Sequence, residues 1–227
     1  MKTSDALAAL RDHAAPAKAS AAHRYHKVDR PYLGVTNPVI DALAKDWRAA
    51  LDPDTRLVLA RGLWKSNIHE ARIIAAKLLT QARIRPDDSD AWNMIVAWLP
   101  DCDSLPIADA VCTAGQKRLV ADPARLDLVA TWITSDNPWM RRPAFAMTLP
   151  WAKLNHPKAG DLALRERVLD WAAQSAADPD RIVARALAGW LRDLSKHDPD
   201  RVRAFLDTYG DTMPPATAKA AAAHLAP

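Results

Sequence analysis

Residues 178–200 read DPDRIVARALAGWLRDLSKHDPD, and the class of the fold can be argued from this stretch. It opens on an Asp-Pro step and closes on another. An Asp or Asn side chain accepts from the free N–H groups of a helix's first turn, and proline at the next position gives up only a donor that has no partner there. Between the steps Ile182, Ala186, Trp190 and Leu194 recur every four residues, the rhythm of a helix over 179–196 with one apolar face.

The same punctuation extends along the chain at Asn37-Pro38, Asp52-Pro53, Asp122-Pro123 and Asn137-Pro138. Ile68, Ala71, Ala75, Leu78 and Ala82 repeat the three-and-four spacing, and no segment alternates with the period of two that a strand needs. The 17 prolines sit mostly at helix boundaries and glycines number only 6, so loops are short and consecutive helices are antiparallel neighbours. The spacing predicts helices over 4–14, 17–28, 37–50, 53–64, 67–82, 88–99, 106–120, 123–134, 138–153, 160–175, 179–196, 199–209 and 214–225. Paired off, they give a unit of roughly 35 to 45 residues, the period of helical solenoids. The expected fold is all-α: one HEAT-like repeat domain over 1–227, a right-handed solenoid of about six helical pairs.

Composition narrows the function. With 49% apolar and 26% charged residues the chain belongs with globular proteins. No apolar run is long enough for a membrane span, and MKTSDALAALRDHAAPAK lacks the core of a signal peptide, so the expectation is a cytoplasmic monomer. Cys102 and Cys112 are too few for a disulfide framework or a metal cage and read as buried thiols. Residues 23–86 carry twelve Lys/Arg against six Asp/Glu, 87–136 three against nine, and 137–203 twelve against eight, a basic–acidic–basic order that suits an anionic partner.

Phosphate-loop, dinucleotide, zinc-protease and serine-hydrolase signatures are absent, and His69-Glu70 is half a zinc motif at most. No metal or cofactor is expected. Four phrases remain: RYHKVDRPYLGVTNPVIDALAK at 24–45, LWKSNIHEARIIAAKLL at 63–79, WITSDNPWMRRPA at 132–144 and RALAGWLRDLSKHDPD at 185–200. In order and spacing they resemble the AlkD-type DNA alkylation repair proteins, from about residue 20 to 206. That resemblance implies a curved HEAT-like solenoid that holds duplex DNA in a concave basic face. It further implies hydrolysis of the N-glycosidic bond of cationic alkylated purines such as 3-methyladenine and 7-methylguanine. Such a base is already a good leaving group, so a carboxylate that steadies an oxocarbenium-like sugar and positions water can suffice.

Within AWLPDCDSLPIADAVCTAG two aspartates compete for that role, Asp109 on spacing and Asp103 as the alternative. A solvated helix-start carboxylate is the plain reading of either. The family's aromatic partners fall at Leu105 and Gly189 here, with Trp190 one place later and turned by about 100°. The resemblance implies that Tyr25 lines the DNA cleft and that Arg142 meets the DNA backbone; Lys27 and Trp139 in the same phrases, and Arg141 at a helix N-terminus, are read as DNA-binding beside them, and Arg181, Arg185, Arg192 and Lys196 make one basic stripe on a helix face. Surface arginines and half-buried aromatics would look the same. Trp47, Trp64, Trp132, Trp171 and Trp190 are assigned to the core, Trp98 is a displaced aromatic, and Pro143 is a bend in its helix. Three functions follow: a glycosylase, a non-catalytic relative that binds damaged or branched DNA, and a scaffold for protein partners.

Overall fold

A computed structural model describes residues 1–225, and every regular element among them is helical. They fall into two compact units, residues 1–121 and 122–225.

The first unit holds α1 (Thr3–Arg11), α2 (Pro16–His26), α3 (Asn37–Ala50), α4 (Pro53–Lys65), α5 (His69–Leu78), α6 (Ser89–Trp98) and α7 (Leu105–Ala121). Helix α5 packs on α3, α4 and α7, while α4 also meets α1 and α6. Two layers result: α3, α5 and α7 side by side in one, and α1, α4 and α6 in the other. Asp52 starts α4 as its sequence suggests, accepting from the Thr55 N–H at 2.9 Å.

Gly34 fixes the entry to α3. Its φ is +74°, and a Cβ there would lie 2.3 Å from the Ala15 carbonyl and 2.4 Å from the Ala19 nitrogen. The buried Glu70 carboxylate accepts from the Leu33 and Gly34 N–H groups at 3.0 and 2.7 Å, which ties this turn to α5. The YLGV and NIHE phrases thus meet across one packing contact.

Helix α5 stops at Leu78, short of the 82 expected from the apolar rhythm. Pro86 has no N–H to offer the Ala82 carbonyl four residues back. The Arg118 guanidinium, fully buried on α7, takes that carbonyl at 3.1 Å together with that of Gln81, and pairs with Asp88 at 2.7 Å.

The second unit holds α8 (Leu126–Ala130), α9 (Pro138–Arg141), α10 (Pro143–Ala146), α11 (Leu149–Ala152), α12 (Ala159–Gln174), α13 (Arg181–Leu194), α14 (Pro199–Tyr209) and α15 (Pro215–Ala221). Helix α13 is its centre and packs on α9, α10, α11, α14 and α15. The single helix expected over 138–153 is three one-turn pieces, because Pro143 and Pro150 supply no N–H to the carbonyls four residues before them. Thr148 turns its hydroxyl onto the Ala144 carbonyl at 2.6 Å at the second break. The helix expected over 123–134 is likewise a 3-10 turn, Pro123–Arg125, followed by the short α8.

Helix α13 begins at Arg181 rather than at Pro179. Its cap is Asp180, which accepts from the Ile182 N–H at 2.9 Å, since Asp178 is held by Arg141. Its buried face runs through Val183, Leu187, Trp190, Leu191 and Leu194, so Ile182 and Ala186 lie at the edge of the stripe instead of its middle. Trp47, Trp64, Trp132, Trp171 and Trp190 are buried. No helix among the described residues is long and apolar enough to cross a membrane.

Candidate nucleic-acid interface

Side chains four residues apart on a helix stand on one face, and three such rows meet on the layer made by α3, α5 and α7. Helix α3 presents Asp41, Lys45 and Arg48, α5 presents Ile73 and Lys77, and α7 presents Asp109, Thr113 and Lys117. Together they line an open groove of about 1150 Å³. Four cations face two carboxylates in it, so its surface is net positive.

The cations differ in freedom. Lys77 pairs with Asp41 at 2.7 Å in a largely solvated contact. Arg48 is anchored by the Lys77 carbonyl at 2.9 Å and by the Thr80 hydroxyl. Lys45 and Lys117 are exposed. None of these four was singled out from the sequence: lysines at helical spacing carry no mark, and their convergence depends on the register of three helices far apart in the chain.

The two aspartates occupy different settings. Asp109 is exposed and lines the groove beside Pro106 and Ala110. Asp103 lies just before α7 and is absent from the groove lining. Its Oδ2 accepts from Nη2 of Arg30, whose side chain is only 3% exposed. Around that pair Arg30 Nε and Nη1, Asp103 Oδ1, Ser104 Oγ and His69 Nδ1 are buried without a hydrogen-bond partner among the described residues.

Aromatic rings crowd the same corner. His69 stands 4.8 Å from both His26 and Tyr32, centroid to centroid, and His26 and Tyr32 stack in parallel planes at 6.0 Å. Burial first, then the nearby His26 and Arg30, push the His69 pKa down from 6.5 to about 3. Burial lowers the His26 pKa too, against the pull of Asp103.

Tyr25 is 80% exposed at the end of α2, edge-on to His26, and Lys27 follows it in a left-handed turn with φ of 57°. Leu105 is the first residue of α7. Trp98 stacks on Trp64 at 4.3 Å, where the Arg72 guanidinium covers the Trp64 ring at 4.6 Å. That ring is thereby committed to the core.

In the second unit Trp139 is half-buried on α9. Arg141 grips Asp178 with two hydrogen bonds, at 2.7 and 3.1 Å, and donates to the Ser135 and Asp136 carbonyls. Its hydrogen bonds to Asp178 raise its pKa, so it is a fixed cation that ties α9 to the turn before α13. Arg142 is buried, whereas Arg181, Arg185 and Arg192 are exposed on the face of α13 opposite Trp190, and Lys196 is exposed in the turn just after it. Gly189 leaves open space, its nearest neighbour being the Arg192 guanidinium 4.0 Å from where a Cβ would stand. No group of three or more His, Cys, Asp or Glu residues that could hold a metal ion occurs among the described residues.

Solved structures share the fold. A structure described as a predicted DNA alkylation repair enzyme from Enterococcus faecalis is similar at a TM-score of 0.78 and 16% identity, over 94% of this chain and 97% of that one. The structure of AlkD2 from Streptococcus mutans is similar at a TM-score of 0.64 and 16% identity, over 85% of this chain and 91% of that one. No curated protein matches the chain in sequence. The model of one family, the DNA alkylation repair enzymes, matches residues 6–225, nearly the whole chain, and the chain belongs to that family.

Proposed function

We propose that this HEAT-like helical-repeat protein binds duplex DNA through phosphate contacts, in its first unit along the α3–α5–α7 groove and in its second at the exposed arginine stripe of α13. Membership in a DNA alkylation repair family supports a role in DNA repair. The observation that carries the binding reading is the groove itself, where Lys45, Arg48, Lys77 and Lys117 converge from three parallel rows.

The chemistry that suits this groove is hydrolysis of the glycosidic bond of a cationic alkylated purine, with Asp109 as the carboxylate beside the sugar. Asp109 faces the groove, while Asp103 is neutralised by Arg30. A second reading, binding without cleavage, is favoured by Leu105 and Gly189, which offer no π-face to a sugar or a cationic base, and by the burial of Trp98 against Trp64.

Release of 3-methyladenine and 7-methylguanine from methylated duplex separates the two. Release by the wild type that falls at least about a hundredfold in Asp109→Asn supports the first reading. Release lost in Asp103→Asn and kept in Asp109→Asn transfers the role to Asp103. No release above background, with duplex binding intact, decides for the second.

A further inference from the structure

The groove does not use Arg30, the arginine with the most buried nitrogens left without a hydrogen-bond partner among the described residues. A guanidinium carries donors on three nitrogens, and of these only Nη2 reaches an acceptor, on Asp103. Buried polar atoms without partners are uncommon, and here they gather on both members of one ion pair. A ligand that reaches Arg30 with acceptor oxygens would supply partners these donors lack and offset the loss of Asp103.

Beside it lies a cleft of about 330 Å³, walled by Ala19, Ser20, His23 and Arg24 of α2 and by Arg30 and Tyr32. Residues 19, 20, 23 and 24 share one helix face, which turns Arg24 and His23 toward the segment that carries Arg30. Two arginines, a histidine, a serine and a tyrosine line it, and no acidic residue does. The Ser20 hydroxyl donates to the Pro16 carbonyl at 3.0 Å and the Tyr32 hydroxyl to that of Val28 at 3.4 Å, so the donors that remain for a ligand are the cationic ones. Forked N–H donors from two arginines match the oxygens of a phosphate.

We propose that this cleft is a phosphate subsite and that Arg30 is shared between it and Asp103, so that a bound phosphate draws the guanidinium away and frees the Asp103 carboxylate. The subsite stands on its own chemistry; its bearing on DNA rests on the binding reading above. A phosphodiester of duplex DNA and a free phosphate monoester present the same oxygens.

Titration of the isotope-labelled protein with inorganic phosphate, against chloride at equal ionic strength, tests the site by NMR. Saturable shifts at Ser20, His23, Arg24 and the Arg30 Nε–H are expected. Asp103→Asn should tighten phosphate on the order of tenfold, because the guanidinium is no longer shared. Arg30→Met should abolish the response. Should that buried substitution unfold the chain, Arg24→Ala at an exposed position should still weaken binding severalfold. Shifts equal to those in chloride, or an affinity unmoved by Asp103→Asn, overturn the proposal even where duplex binding persists. Phosphate that competes with duplex in the wild type more than in Arg24→Ala assigns the site to the DNA backbone. Phosphate binding without such competition assigns it to a free monoester.

Discussion

At Gly34 the requirement is steric and local. A side chain would meet the backbone of α2 at 2.3 Å while holding a positive φ, and neither the Ala15 carbonyl nor the Ala19 nitrogen can give way like the tip of a flexible chain. Gly34→Ala is therefore expected to cost at least about 2 kcal/mol, read as a lowered urea midpoint at unchanged slope. His69 makes a different demand, set by pH. Its folded pKa of about 3 lies below the ordinary 6.5, so the unfolded chain takes up a proton that the folded one refuses. The stability His69 permits is intact above pH 6.5 and declines as pH falls toward 3, by about 1.4 kcal/mol for each unit. His69→Phe keeps a ring in the stack with Tyr32 and removes the titration. Its urea midpoint should fall less steeply than that of the wild type between those limits, and parallel curves would show that His69 titrates alike in the folded and unfolded chain.

Arginines on neighbouring elements do opposite work, and substitution should separate them. Arg141 joins α9 to the turn before α13 through Asp178, whose side chain is only 8% exposed, so Arg141→Met strands a largely buried carboxylate. A loss of about 3 kcal/mol is expected, visible in the melting temperature without any DNA. Arg185→Ala with Arg192→Ala trims an exposed face and should stay within about 0.5 kcal/mol of the wild type while weakening duplex binding. Equal melting losses in both variants would show that the stripe is structural. Elements were the readable scale of this sequence. Caps at Asp52, Asn137 and Asp198 act within three residues of themselves, and the spacing around Trp190 fixes a helix wherever the chain goes. What could not be read depends on distance. Arg30 and Asp103 meet across 73 residues, Arg118 of α7 takes the Gln81 and Ala82 carbonyls beyond the end of α5, and the register that aligns Lys45, Lys77 and Lys117 exists only after packing. Pro143 marks a bend in the sequence itself, but the apolar periodicity that runs past it and Pro150 hides that the segment divides into three pieces.

Across the whole molecule the question is whether DNA affinity comes from net charge or from placed charge. A chain of formal net charge +4 attracts any polyanion, so affinity alone proves little. Counterion release distinguishes the two, because each neutralised phosphate steepens the fall of log K with log salt by about 0.9. Lys45→Ala with Lys117→Ala, and Lys2→Ala with Lys219→Ala, each take the net charge from +4 to +2, all at exposed positions. Only the first pair lies in the groove. If DNA tracks the α3–α5–α7 face, the groove pair should lower the magnitude of the salt slope by about 2 and the control pair by almost nothing. Fluorescence anisotropy of a short duplex between 50 and 200 mM salt, a range that displaces several contacts, resolves that difference. Equal slopes for the two variants would mean that the protein is felt by DNA as a diffuse charge, and the groove would lose its claim as the interface.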